Sequence, residues 1–136
     1  APEVAVRFHA TRNWSSVDDV PGPDNRLSDQ PRLSSTLGAD YTPSQAWTFG
    51  ASYTYTSGGR IRRTPVEAYS ASARHEVDLY ALWSLSSDAK LRVSVGNALA
   101  RDVATGTEYR DADTAQQLQR RRAAPATVRA QLELKF

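Results

Sequence analysis

The sequence predicts an all-β chain, an antiparallel up-and-down meander of about six strands that forms part of a larger transmembrane β-barrel. Three observations carry this expectation. Apolar and polar side chains alternate with period two along six segments, helical periodicity is hard to find, and the connections alternate between tight turns and long loops.

Successive residues of a strand point to opposite faces, so parity sorts each segment into two sides. In residues 4–14, Val4, Val6, Phe8 and Ala10 oppose Arg7, His9, Thr11 and Asn13. In residues 32–41, Leu33, Ser35, Leu37, Ala39 and Tyr41 oppose Arg32, Ser34, Thr36, Gly38 and Asp40. In residues 46–56, Trp47, Phe49, Ala51, Tyr53 and Tyr55 oppose Thr48, Gly50, Ser52, Thr54 and Thr56. In residues 76–85, Val77, Leu79, Ala81, Trp83 and Leu85 oppose Glu76, Asp78, Tyr80, Leu82 and Ser84. In residues 90–99, Leu91, Val93 and Val95 oppose Lys90, Arg92, Ser94 and Gly96. In residues 127–136, Val128, Ala130, Leu132, Leu134 and Phe136 oppose Thr127, Arg129, Gln131, Glu133 and Lys135. In the last five segments the first side carries no charge and Leu82 is the only aliphatic residue of the second, while residues 4–14 follow the rule more loosely.

The connections add direction. Thr42-Pro43-Ser44-Gln45 and Ser86-Ser87-Asp88-Ala89 are short and rich in turn formers. The others are expected to be long loops, running through Asp18 to Asn25, from Ser57 to Arg74 and from Asp102 to Pro125. Short turns on one rim and long loops on the other describe a bacterial outer-membrane barrel with its turns in the periplasm. Parity alone also fits a soluble β-barrel or sandwich with its apolar face turned inward. Aromatic placement favours lipid: Tyr41, Trp47 and Trp83 flank the short turns, while Tyr53 and Tyr55 lie roughly 20 Å higher, as two aromatic girdles would. Six strands are fewer than the eight of the smallest single-chain barrels, so the chain is expected to belong to a larger wall.

The composition, 40% hydrophobic and 24% charged, resembles that of a soluble domain. Barrel strands need only about 9 to 11 alternating residues, however, and escape a search for apolar runs of about 18. The chain has no cysteine, which excludes disulfides, thiolate metal sites and a cysteine nucleophile. Its 17 basic and 15 acidic residues give a net charge of +2, too balanced to argue for nucleic acid. It has no methionine and no signal segment before the first strand pattern, and it reads as a processed or truncated piece.

Catalytic and metal chemistry find no footing. His9 and His75 lie in different strands without the spaced partners of a zinc site or triad, and are expected to be inward-facing or rim polar residues. Asp18, Asp19, Asp111 and Asp113 lack a calcium-loop pattern and read as solvated loop charges. Arg60, Arg62, Arg63, Arg120, Arg121 and Arg122 are weak ligand-binding candidates in the loops. Their forked donors suit lipopolysaccharide phosphates or an anionic metal chelate, and hydrated loop charge is the plainer reading. Gly58-Gly59 lacks the lysine and helix of a phosphate loop and is expected to be a bend where strand becomes loop.

Thr127 to Phe136 resembles the C-terminal signature of outer-membrane barrel proteins, with alternating apolar residues ending on phenylalanine. The resemblance implies that Val128, Ala130, Leu132, Leu134 and Phe136 form the signal read by the barrel-assembly machinery. Lys90 to Leu99 is similar to the penultimate strand of TonB-dependent receptors, where basic and apolar alternation leads into an Asn-Leu element; here Ala98 separates Asn97 from Leu99. Asp24 to Leu27, Pro31 to Leu33, Leu37 to Tyr41 and Trp47 to Tyr53 also resemble late-barrel segments of these receptors.

The resemblance implies a parent barrel of about 22 strands with an N-terminal plug, importing a scarce ligand such as a ferric siderophore. The plug and the TonB-contacting segment are absent from this sequence. Expected partners are outer-membrane lipid and lipopolysaccharide, the barrel-assembly machinery, the TonB complex through the absent plug, and a small ligand such as a metal chelate. No nucleic acid, cofactor or bond chemistry is expected. Alternatives are another outer-membrane barrel, such as a porin, autotransporter translocator or adhesin, or a soluble β-barrel binding module.

Overall fold

The computed structural model of the chain describes residues 2–135. The described residues form ten antiparallel strands and no helix. They are β1 (Glu3–Arg12), β2 (Leu33–Ser44), β3 (Trp47–Thr56), β4 (Gly59–Arg62), β5 (Glu67–Ala71), β6 (Arg74–Ser84), β7 (Ala89–Gly96), β8 (Val103–Arg110), β9 (Ala115–Arg122) and β10 (Thr127–Leu134). A six-stranded sheet has the order β1-β2-β3-β6-β7-β10, and a four-stranded sheet the order β4-β5-β8-β9.

The larger sheet contains the six expected strands in the expected meander order, with small shifts at their ends. The first strand stops at Arg12 and the second runs on to Ser44. Its register shifts between Tyr41 and Ser44, where Pro43 has no N–H to give to a ladder. The turn is therefore Gln45-Ala46, two residues beyond the centre of the expected turn, and Ser44 pairs with Trp47. The strand expected over residues 90–99 ends at Gly96, because Asn97 turns left-handed at φ 51°. Asn97 donates its amide to the Ala124 carbonyl at 2.6 Å, and its N–H to Asp78 Oδ1 at 2.9 Å. The closing strand is described to Leu134; Phe136 lies outside the described residues.

Two of the three expected long loops are corrected. Residues 57–74 and 102–125 hold β4, β5, β8 and β9, so the hairpins of the larger sheet continue past a bend into a second one. Only the connection through residues 13–32 is strand-free. At the bend, Gly58 runs so close to the returning chain that a Cβ would fall 2.3 Å from the Ala71 carbonyl oxygen and 2.5 Å from the Ala73 nitrogen. Gly59 follows at φ 153°, a conformation open mainly to glycine. The expected bend is thus present, but it joins strand to strand.

The tips of the two hairpins of the four-stranded sheet, hereafter the upper sheet, are closed by side chains. Thr64 Oγ1 accepts from the Val66 and Glu67 N–H groups at the β4–β5 tip. At the β8–β9 tip Asp111 Oδ1 accepts from Asp113 N at 3.0 Å and Thr114 N at 2.7 Å, and its other oxygen accepts from the Tyr109 hydroxyl at 2.9 Å. The Asp113 N–H first, then the Tyr109 hydroxyl and the Thr114 N–H, hold the Asp111 carboxyl below its ordinary range. Asp111 is thereby a turn former, which explains its presence without a cation.

Cross-strand register fixes the faces. Val6, Ala39, Ala51, Leu79, Val95 and Val128 form one continuous row across the six-stranded sheet. Val4, Tyr41, Phe49, Ala81, Val93 and Ala130 form the next. The opposite face carries the row Ala5, Asp40, Gly50, Tyr80, Ser94 and Arg129. No second layer covers the apolar rows: the buried hydrophobic residues are Val20 and Ala68 alone among those described. Val6 is 64% exposed, Leu79 43% and Val128 72%.

Candidate functional site

Three groups of side chains stand out: a charged network on the polar face, aromatic clusters at the two ends of the apolar face, and arginines on the upper sheet. The polar network depends on a missing side chain. Gly50 sits between Asp40 and Tyr80 in one row, and a Cβ there would fall 2.0 Å from Tyr80 Cε1. The Tyr80 ring occupies that space and crosses β3, so that its hydroxyl donates to Asp40 Oδ1 at 2.6 Å. Arg7 pairs with the other Asp40 oxygen, and the Arg92 guanidinium lies over the Tyr80 ring, 4.5 Å from its centroid. The chain Arg7–Asp40–Tyr80–Arg92 spans five strands of the larger sheet. It borders a hollow of about 540 Å³ that Asp78, Ser94 and Arg129 also line.

At the turn end of the apolar face Trp47 stacks on Trp83 with centroids 5.1 Å apart, and on Phe49 at 5.6 Å. Tyr41 pairs with Phe49 in register. At the other end the Tyr53 hydroxyl lies 2.7 Å from His75 Nδ1, and the Tyr55 ring is 5.2 Å from the His75 ring. The structure puts Trp47 and Trp83 in one cluster, with Tyr41 beside it in register, and Tyr53 and Tyr55 in another. It adds Phe49 and His75. His75 thus occupies a rim position on the apolar side, while His9 stands on the polar face beside Thr11, 3.0 Å away.

The six loop arginines are on or beside strands, and the structure does not bring them together. Arg60 bonds Glu108 at 2.8 Å. Arg62 donates to the carbonyls of Pro21 and Gly22, tying the long connection to β4. Arg63 lies over the Tyr69 ring at 4.6 Å. On β9 the period of two splits the run: Arg120 and Arg122 share one face and Arg121 takes the other. A groove of about 660 Å³ runs along Arg60, Arg62, Glu67, Glu108, Arg110 and Gln117. Within the long connection, burial first and neighbouring Arg32 second lower the proton affinity of Arg26, whose Nε has no partner.

Residues Val128, Ala130, Leu132 and Leu134 all lie on the apolar face of β10, paired with Val95, Val93, Leu91 and Ala89. The outer edges of β1 and β10 carry no neighbouring strand among the described residues. Sequence reasoning placed Asp40, Tyr80, Arg92 and Arg129 on one face but missed their association. The available signal was Gly50, a gap in an otherwise Ser/Thr-lined strand. Comparisons with family models, curated proteins and solved structures return no match.

Proposed function

We propose that this chain is the C-terminal part of an outer-membrane β-barrel, and that its parent is a receptor importing a scarce small ligand, such as a ferric siderophore, with energy delivered through TonB. The observation that carries the membrane part is the pair of uncovered apolar rows. Burying one large apolar side chain contributes roughly 1.5–3 kcal/mol. Leaving Val4, Val6, Phe8, Leu37, Phe49, Leu79, Val93, Val128 and Leu132 in water would therefore forgo an amount comparable with the whole net stability of a domain, about 5–15 kcal/mol. Hydrocarbon removes that deficit, and a sheet whose backbone groups are paired strand to strand can enter it once its edges are closed.

On this reading the aromatic clusters are the two girdles, and the turns at Gln45-Ala46 and before Ala89 face the periplasm. The four-stranded sheet then stands above the outer surface, and its groove and arginines contribute to ligand capture. The polar face lines the lumen against a plug supplied elsewhere in the parent, and the apolar residues of β10 present the assembly signal. The receptor reading rests on the resemblance of residues 90–99, 24–27, 31–33, 37–41 and 47–53 to TonB-dependent receptors, whereas residues 127–136 resemble outer-membrane barrels as a class. The test is uptake of a panel of ferric chelates by cells expressing the intact protein, with and without a protonophore. Uptake above that of deletion cells, lost when the proton gradient collapses, is expected. Equal uptake by expressing and deletion cells across the panel sinks the receptor reading and leaves the barrel untouched.

A further inference from the structure

We propose that Arg92, Ser94, Arg129 and Gln131 form an oxyanion-binding site on the polar face, sized for a phosphate or for the carboxylates of a small polyacid. Two adjacent cross-strand pairs build it: Arg92 faces Gln131 and Ser94 faces Arg129. The arginines therefore occupy opposite corners of a rectangle on one face, with a hydroxyl and a carboxamide at the other two. Diagonal neighbours in such a ladder stand about 7–8 Å apart, a separation that lets two guanidiniums converge on one tetrahedral anion. Every corner can donate a hydrogen bond and none carries negative charge. The hollow between them has a volume of about 270 Å³ and these four residues as its whole lining.

Two nearby carboxylates are engaged elsewhere. Asp40 is held by Arg7 and Tyr80, and Asp78 Oδ1 accepts from Asn97 N. Glu133 pairs in register with Lys90 at the next position along the ladder. Neither Arg92 nor Arg129 makes an ion pair among the described residues. Arg92 is also preoriented, because its guanidinium plane rests over Tyr80, which Asp40 anchors in turn. Forked donors fixed in this way match oxyanions better than a flexible ammonium does.

The experiment is titration of the folded protein in detergent with inorganic phosphate at low ionic strength, followed by calorimetry and by phosphorus NMR line width. One saturable site is expected. R92Q and R129Q should each weaken it at least about tenfold, the loss of one charge-assisted fork. R92K should retain a weaker site, and R74Q, at the start of β6 where Arg74 pairs with Glu76, should bind as the parent does. Unchanged phosphate affinity in the R92Q/R129Q double variant, or binding that never saturates, overturns the proposal. Adding citrate as competitor separates the sources: displacement of phosphate at lower citrate concentration assigns the site to polycarboxylates, and resistance to it assigns it to phosphate. The site is independent of the transport reading, so a protein that imports ferric chelates yet ignores phosphate refutes this site alone.

Discussion

On the proposed membrane reading, replacing Leu79 by arginine is expected to destabilise the protein in a phospholipid bilayer by roughly 2–4 kcal/mol, the cost of a cation on the lipid face of a barrel near the midplane. Leu79 stands in the central row between Ala51 and Val95, with the aromatic clusters above and below it. An arginine at this height is too far from either rim to extend its charge into water without distorting the sheet. The effect corresponds to roughly a 30- to 700-fold shift in the folding equilibrium. Urea unfolding from vesicles measures it. Ser52→Arg is the control, because Ser52 pairs in register with Asp78 on the polar face and its substitute gains a counter-ion there. Equal losses at the two positions would show that the faces are not in different solvents.

Replacing Gly58 by alanine is expected to open the bend between the two sheets. The added Cβ meets backbone, at 2.3 Å from Ala71 O and 2.5 Å from both Ser72 C and Ala73 N, so no rotamer change relieves it. Forced displacement of packed backbone costs about 1–3 kcal/mol. The loss falls on the junction of β3 with β4 and of β5 with β6. Trypsin should then cut at Arg60, Arg62 and Arg63 roughly 10- to 100-fold faster than in the parent protein, while the six-stranded sheet stays protected. Unaltered cleavage at those sites would mean that the upper strands do not depend on this close approach.

The larger sheet was legible because its two faces differ. Residues such as Val77, Leu79 and Ala81 against Asp78 and Tyr80 leave a period of two that survives in the sequence. The upper sheet left no such trace. Its strand Ala115–Arg122 reads Ala-Gln-Gln-Leu-Gln-Arg-Arg-Arg, fully exposed, with Leu118 the only aliphatic longer than alanine. A strand that meets water on both sides has no reason to alternate, and its residues read as loop. Composition was equally blind to the arginine arrangement. Three consecutive arginines suggest one patch, whereas strand geometry sends Arg121 opposite to its neighbours. The Asp40–Tyr80 contact depends on register, which the sequence of each strand leaves open until its partner is known. Gly50 was the one local hint.

The account turns on which face of the six-stranded sheet meets hydrocarbon. Because the chain contains no cysteine, single cysteines can be placed along β6 and spin-labelled without background. In the protein reconstituted into lipid vesicles, labels at Val77, Leu79 and Ala81 should collide with oxygen and be shielded from a water-soluble nickel chelate. Labels at Asp78, Tyr80 and Leu82 should show the opposite preference or contact with protein. An alternation of this phase places the apolar rows in lipid; nickel access at Leu79 equal to that at Asp78 contradicts the account.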